Sequence, residues 1–598
     1  MINLPPAAIM LLGAVLILLF PRHARSAVFL VFPLLTFFYL LQLNSGDSQS
    51  LGFLNFNLTI SRVDSLSLCF GYVFVLITFL GGVYGYHVKD TGEQASSLIY
   101  AGSSLGVVFA GDLITLFFFW EIMAVSSVYL IWATRTPLSK GAGLRYLMVH
   151  LFGGAMLLAG ILLHLTQTSS IVFDHMEPGP ASYLILFGFC LNAAVPPLHA
   201  WLPDAYPEGT VTGSVFLSAF TTKTAVYALA RGFAGWELLI WAGLIMAIYG
   251  VIYAVLENDI RRLLAYHIVS QVGYMVCAVG IGTYIAIDGA TAHAFSHILY
   301  KALLFMGAGT VLYATGTSKL SELGGLAKVM PAVVVLYMIG AFSISGVPLF
   351  SGFVSKSMVM YAAGLSDLGM VVLLLNLASV GTFLHTGLKL PYFTWFGRSH
   401  MQIKIKPVPP GMYIGMALTA LCCIIIGVYP SLLYNILPFP TDYKPYTASH
   451  ISETIQLLVS TGIGFWLLIP WLGGKNLISL DFDWFYRRPA KLAYTVFVAS
   501  VSHLFDLVEH ATIWLVQKVT VWSTNPVGYL LESMGQPLAF RKGKRLPDYD
   551  PDRYRISVGN MLLATLLLFI ILLLWSLLNQ SPTFSSFKNL IYVAKGIF

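Results

Sequence analysis

Long apolar stretches separated by short polar connections recur along the whole chain, and this alternation predicts helices that cross a bilayer, each needing about 20 mostly apolar residues. Sixteen such segments are read at 5–20, 27–43, 66–86, 96–111, 113–133, 142–165, 182–202, 212–231, 236–256, 264–283, 291–315, 331–363, 369–395, 411–433, 453–473 and 557–579. Arg22 and Arg25 follow the first apolar run instead of preceding it, the reverse of a secretory signal. That run therefore reads as a retained first span.

Two spans are interrupted by proline beside polar residues. Segment 182–202 contains Asn192-Ala-Ala-Val-Pro196-Pro197-Leu-His199, and segment 331–363 contains Ser345-Gly346-Val-Pro348 leading to Gly352-Phe-Val-Ser-Lys356. Pro196 and Pro348 stand 152 residues apart, in corresponding places of two halves. Paired broken helices point to an inverted-repeat transporter whose freed backbone groups line a polar cavity; the alternative is that the prolines only kink spans for packing. The stretch 490–535 is also apolar, but His503, Asp506, His510 and Lys518 recur near helical spacing on one stripe. It reads as an amphipathic helix along the membrane surface, or one packed on this chain alone.

Composition narrows the class. Of 598 residues, 57% are hydrophobic and 10% charged, against about 25% charged in soluble domains, which excludes a soluble multidomain enzyme. The five cysteines (Cys69, Cys190, Cys277, Cys422, Cys423) all sit in apolar runs without metal-ligand spacing, so no disulfide, zinc or iron–sulfur site is expected. No GxGxxG or GxxxxGK[ST] pattern supports nucleotide binding. No cofactor and no metal are expected, and the driving force must come from elsewhere.

The net charge of +7 suggests an anionic partner until its residues are placed. With the N-terminus outside, 24 of the 33 basic residues fall in cytoplasmic segments, among them Arg135, Lys140, Arg145, Arg261, Arg262, Arg487 and Arg488. Arg62, Arg231, Lys444, Lys588 and Lys595 fall outside, and four lie within spans. This asymmetry follows the positive-inside rule and supports a multi-pass protein of the cell inner membrane with an external N-terminus; nucleic acid is not an expected partner.

Ionisable groups deep in a bilayer cost roughly 2.5–3.5 kcal/mol each on insertion scales and mark function. Glu121 lies mid-span in Trp120-Glu121-Ile-Met, and Lys223 lies in Thr221-Thr222-Lys223-Thr224. His293, His297 and Lys301 follow at four-residue steps on one helix face. Lys356 sits just beyond the second break, and His385 and Lys389 share a face in the next span. The alternative for a single buried Lys or Glu is a structural ion pair, Lys389 reads as snorkelling to the surface near Arg398, and His150 and His267 read as structural. Together, protonatable groups recurring across successive helices are what a lateral proton relay needs.

Four ordered motifs carry a resemblance: Pro197-Leu-His199-Ala-Trp201-Leu-Pro203-Asp204-Ala-Tyr, Asn258-Asp259-Ile-Arg261-Arg262-Leu-Leu-Ala-Tyr266, His293-Ala-Phe-Ser-His297-Ile-Leu-Tyr-Lys301, and Gly346-Val-Pro348-Leu-Phe-Ser-Gly352-Phe-Val-Ser-Lys356. Over residues 65–435 the chain resembles the proton-translocating antiporter-like subunits shared by Mrp-type sodium/proton antiporters, respiratory complex I and membrane-bound hydrogenases, and looks most like the D-type branch of the Mrp proteins. The resemblance implies an all-α polytopic membrane protein of about 14–16 transmembrane helices. It would hold two inverted five-helix repeats with broken helices, a C-terminal lateral amphipathic helix and a final span. The expected divisions are N-terminal helices over 1–95, half-channels over 96–256 and 257–435, and a C-terminal extension over 436–598 with the surface helix at about 490–535.

By the same resemblance Glu121 matches the fifth-helix glutamate, Lys223 the connecting group of the first half, His293, His297 and Lys301 the central axis, and Lys356 the group at the second break. His199, His385 and Lys389 are accessory candidates. The family usually carries a lysine seven residues before the His of His-x-Trp-Leu-Pro; here that position is Asn192, which cannot carry a proton. The first half is then inactive, rewired through Lys223, or specialised for another ion. The implied function is a proton-conducting subunit of a multisubunit Mrp-type antiporter exchanging protons for sodium or another monovalent cation beside other membrane subunits. Such a chain is a transporter part and not in itself an enzyme. The alternatives are a proton-pumping subunit of a complex I-like NADH-quinone oxidoreductase or membrane-bound hydrogenase, and a structural membrane scaffold for small-solute uptake.

Overall fold

The computed structural model describes residues 4–397, 405–473, 480–524 and 557–580. Two short apolar helices, α1 (Pro6–Leu16) and α2 (Arg25–Leu40), precede a hairpin of β1 (Ser48–Phe53) and β2 (Phe56–Arg62). Helices follow one another from there: α3 (Ser65–Tyr84), α4 (Thr91–Phe109), α5 (Leu113–Trp132), α6 (Pro137–Thr168) and α7 (Pro180–Asn192). Next come α8 (Trp201–Ala205), α9 (Gly213–Ala219), α10 (Thr221–Gly232), α11 (Glu237–Leu256), α12 (Ile260–Ile281) and α13 (Tyr284–Thr315). Then follow α14 (Pro331–Ser345), α15 (Ser351–Leu365), α16 (Gly369–Thr382), α17 (Pro410–Val428), α18 (Ser431–Tyr434) and α19 (Ala448–Leu472). The chain is an all-α polytopic membrane protein: 11 of the described helices are long and apolar enough to cross a bilayer, with four shorter apolar helices beside them.

Helix starts are set by side chains that satisfy the first N–H groups, which a bilayer cannot hydrate. Asp64, Asp90, Asp112 and Asp259 accept from backbone N–H groups at the starts of α3, α4, α5 and α12. Proline occupies the first turn of α6, α7 and α14, where its missing N–H costs nothing.

These caps expose an internal repeat. Asp112 and Asp259 start α5 and α12, and Thr136 and Thr283 precede the 32-residue helices α6 and α13, in each case 147 residues apart. Isolated bridges repeat at the same interval, Asp112 with Val172 and Asp259 with Lys319. Each repeat has five membrane crossings, α4 to α10 and α11 to α16, counting each broken pair as one. An odd number of crossings starts the second repeat on the face opposite the first.

The breaks follow the sequence and exceed what it predicts. Between α7 and α8 the chain is non-helical with Ala194 at φ 62°, and between α14 and α15 Gly346 at φ 73° ends the helix in a left-handed turn. The expected span 212–231 is a single apolar run, yet it divides at Phe220 (φ −99°, ψ −71°) into α9 and α10. The expected span 369–395 loosens after α16 into π-helical turns at Phe383–Lys389 and Tyr392–Phe396. The Phe220 break has no proline or glycine at its centre, whereas the π-helical stretch holds Gly387 and has Pro391 between its two segments, the usual causes of a helix distortion.

Ion pairs mark the two faces. On the face where α3 starts, Arg62 pairs with Asp174 (2.9 Å) and Arg231 with Asp64 (2.6 Å). On the other, Arg135 pairs with Asp90 (2.7 Å) and Arg145 grips both oxygens of Asp204 (2.7 and 2.9 Å). Between them α12 and α13 form the centre, buried along almost their whole length.

The chain divides into two compact units, the first ending at Asp481 and the second holding residues 52–56 and the chain from Phe482 onward. The second unit contains α20 (Asp483–Arg487), α21 (Pro489–Ala493), π-helical turns over Tyr494–Ala499, α22 (Ser500–Thr524) and α23 (Val558–Gln580). Of the stretch 490–535, residues as far as Thr524 are helical, and its remainder lies outside the described residues. The segment Tyr494–Thr520 is itself long and apolar enough to span, so length does not distinguish the two placements.

Candidate functional site

α5 carries Glu121 half-buried, with Oε1 lacking a hydrogen-bond partner among the described residues. The carboxylate points at α6 where that helix has Gly154: a β-carbon built there would overlap Glu121 Oε1. Asn192 ends α7, fully buried, with Oδ1 and Nδ2 both unpartnered among the described residues.

Lys223 lies in the first turn of α10 because the Phe220 break ends α9. That break frees the Ser218 carbonyl, which accepts from Lys223 Nζ at 2.6 Å, while Thr222 Oγ1 accepts at 3.1 Å. A buried amine with only neutral acceptors can lose its proton without leaving an opposite charge stranded.

The central axis is α13. His293 and His297 have ring centroids 6.2 Å apart, and Tyr300 packs 5.2 Å from His297. Lys301 is fully buried, its Nζ without a hydrogen-bond partner among the described residues and 6.0 Å from the Phe305 ring. Lys223 is near enough to act electrostatically on His293, His297 and Lys301. His293 Nδ1 lies 3.3 Å from Ser355 Oγ on α15, one residue from Lys356.

Lys356 Nζ donates to Ser379 Oγ (3.0 Å) and to the Ile344 carbonyl freed by the second break (3.4 Å), and lies 4.8 Å from the Tyr274 ring. Lys356 also lines a cavity of 1630 Å³ with Asp288, Asn376, Ser379, His450 and Glu453. Thr283, Leu365 and Lys444 at its rim belong to the face where α3 starts. Asp288, Asn376 and Glu453 carry no signal in the sequence, since each sits on a different helix and only packing assembles them.

A branch runs from the axis towards the opposite face. His267 and His385 have ring centroids 6.1 Å apart, and both ring nitrogens of each lack hydrogen-bond partners among the described residues. Lys389 does not snorkel, contrary to expectation. It is buried at 1% exposure and donates to the carbonyls of Val255 (2.6 Å) and Glu257 (3.2 Å), at the C-terminal end of α11. A cation there completes carbonyls that the helix leaves open.

His199 lies in the first break, buried, 3.2 Å from Asp481 in the connection after α19. The same carboxylate accepts from Tyr249 (2.6 Å) and Tyr266 (2.5 Å). Burial alone would raise the Asp481 pKa, but the hydrogen bonds and charge of His199 and the two phenols hold it down at about 2. A separation of 282 positions between His199 and Asp481 hides this pair from the sequence.

The arrangement is a buried row of protonatable groups with one end in a wide cavity. A family model described as "NADH:quinone oxidoreductase/Mrp antiporter, TM" matches residues 110–384. The chain is 31% identical over 471 residues to a Na(+)/H(+) antiporter subunit of Alkalihalophilus pseudofirmus, covering 68% of this chain and 58% of that one. It is 30% identical over 386 residues to an uncharacterized protein of Methanocaldococcus jannaschii, covering 61% of this chain and 79% of that one. Among solved structures, the Mrp complex from Dietzia sp. DQ12-45-1b superposes with a TM-score of 0.69 at 23% identity, over 93% of this chain and 65% of that one; that likeness is one of fold. The chain thus spans little more than half the length of its Alkalihalophilus relative.

Proposed function

The chain belongs to the NADH:quinone oxidoreductase/Mrp antiporter transmembrane family, and on that premise we propose that it is the proton-conducting subunit of a multisubunit Mrp-type antiporter. It exchanges protons for sodium or another monovalent cation. The observation that carries the reading is the buried succession Lys223, His297, Lys301, His293 and Lys356, spread over α10, α13 and α15, with no acidic hydrogen-bond partner to any of them among the described residues. Neutral partners leave each group free to alternate between protonated and unprotonated forms. A structural ion pair would fix the charge.

Glu121 stands at the start of the relay and Lys356 at its end, where the cavity gives access to water. Moving a proton against 100 mV costs about 2.3 kcal/mol, so the opposing cation gradient supplies the work. In this reading the α3-start face is external, in the cell inner membrane, and other membrane subunits of the assembly flank the chain. Helix α22, with its His503, Asp506, His510 and Lys518 stripe, is a surface element that braces those neighbours.

The test is cation-dependent proton flux in everted vesicles containing the whole assembly. Lys301→Ala or Lys356→Ala should abolish flux at normal assembly, and undiminished flux in either would overturn the relay.

A further inference from the structure

The 147-residue repeat places α6 in register with α13, so Tyr146, His150 and Gly154 occupy the positions of His293, His297 and Lys301. His150 is therefore the first-half counterpart of the central axis histidine. The residue is 1% exposed, its ring stacks on Tyr146 at 4.0 Å, and Trp201 meets it edge-on at 4.5 Å. His150 Nδ1 lies 3.0 Å from the Tyr146 carbonyl, which can only accept, so Nδ1 carries the hydrogen. Nε2 is left with its lone pair open and no hydrogen-bond partner among the described residues.

Groups of the relay lie to either side of His150 along its helix. Glu121 reaches into the space at Gly154, one turn from His150 on the same helix face, where β-carbons stand about 5–6 Å apart. On the other side the Tyr146 hydroxyl bonds Ser127 Oγ (2.9 Å) and Thr221 Oγ1 (3.4 Å), and Thr221 bonds Tyr100 (2.5 Å). Thr221 adjoins Thr222, whose hydroxyl accepts from Lys223.

Building on the proton-relay reading, we propose that His150, backed by Tyr146, is the proton carrier that links Glu121 to Lys223, taking the part that a lysine at residue 192 plays elsewhere in the family. The protonated Glu121 carboxyl gives its proton to His150 Nε2, leaving a carboxylate and an imidazolium. The imidazolium releases the same proton towards the Tyr146–Thr221 hydroxyls, and it ends on the Lys223 amine as an ammonium. His150 returns to its neutral form, and no electron changes hands. Asn192, with neither side-chain atom bonded among the described residues, is bypassed and not replaced in place.

The experiment compares His150→Gln, Tyr146→Phe and the double variant His150→Gln/Asn192→Lys in everted vesicles, with cation-dependent proton flux expressed per assembled complex. His150→Gln should lower flux at least tenfold, and Asn192→Lys in that background should restore a large part of it by returning a carrier to the first break. Flux within twofold of wild type in His150→Gln overturns the proposal, as does a loss that Asn192→Lys leaves unrelieved, since that is the behaviour of a packing residue. If His150→Gln does not assemble, Tyr146→Phe decides: it keeps the stacked ring and removes only the hydroxyl, so slowed flux supports the route and wild-type flux overturns it. A wild-type assembly without cation-dependent flux would instead refute the antiporter reading on which the route rests.

Discussion

The carboxylate of Glu121 fills the space that a side chain at Gly154 would take, since a β-carbon there would overlap Oε1. In the second half the equivalent of Gly154 carries Lys301. Gly154→Ala should therefore push Glu121 aside without unfolding α6, because alanine is favoured over glycine in a helix by about 1 kcal/mol. The expected outcome is normal assembly with proton flux several-fold lower, measured in everted vesicles; unchanged flux would show that the position of Glu121 is not critical.

Lys356 meets only neutral acceptors and a phenol ring among the described residues. Lys356→Arg keeps the charge but cannot release its proton at physiological pH. Flux should fall at least about tenfold, equivalent to about 1.4 kcal/mol on the barrier, with assembly unchanged on native gels. A variant as active as wild type would mean that Lys356 serves as a fixed charge.

The cavity makes a prediction about access. Asn376 lines it together with Lys356. Asn376→Cys should react with a membrane-impermeant thiol reagent from the α3-start face and not from the other, in a background lacking the two half-buried cysteines, Cys190 and Cys422. Labelling from the opposite face alone would reverse the assigned polarity.

Asp481 sets an acid limit on stability. Its folded pKa of about 2 lies below the unfolded carboxylate value of about 3.9, so its stabilisation is fully present above pH ~4 and is lost as pH falls towards 2. The difference amounts to about 2–3 kcal/mol at pH 7 and about half that at pH 3. Thermal unfolding in detergent should show Asp481→Asn less stable than wild type at pH 7, with the gap narrowing at pH 3. A gap independent of pH would assign the loss to packing alone.

Sequence periodicity and proline punctuation suffice to read the helical class, the paired breaks and the column on α13, because apolar length and four-residue spacing are local properties. The Phe220 break is invisible at that level because its cause is tertiary: Phe220 packs edge-on against Phe74 and Tyr100, and no residue type marks the spot. Lys389 misleads for a related reason, since its nearness to Arg398 in sequence says nothing of the α11 carbonyls it meets in space. His150 looks structural as long as only its own span is considered. Its equivalence to His297 appears once the caps of α6 and α13 fix the register between the halves.

The 1630 Å³ cavity also shapes the electric field. At about 30 Å³ per water it accommodates on the order of 50 molecules, and such a volume of high-dielectric solvent holds its floor near the potential of the adjoining bulk phase. The transmembrane voltage then drops across the dry protein between Lys356 and the opposite face, not across the full bilayer thickness. A proton crossing from Lys301 to Lys356 therefore senses a steeper gradient per ångström than one moving within the cavity. Turnover should accordingly depend on voltage through the internal transfer steps, with little contribution from passage through the vestibule.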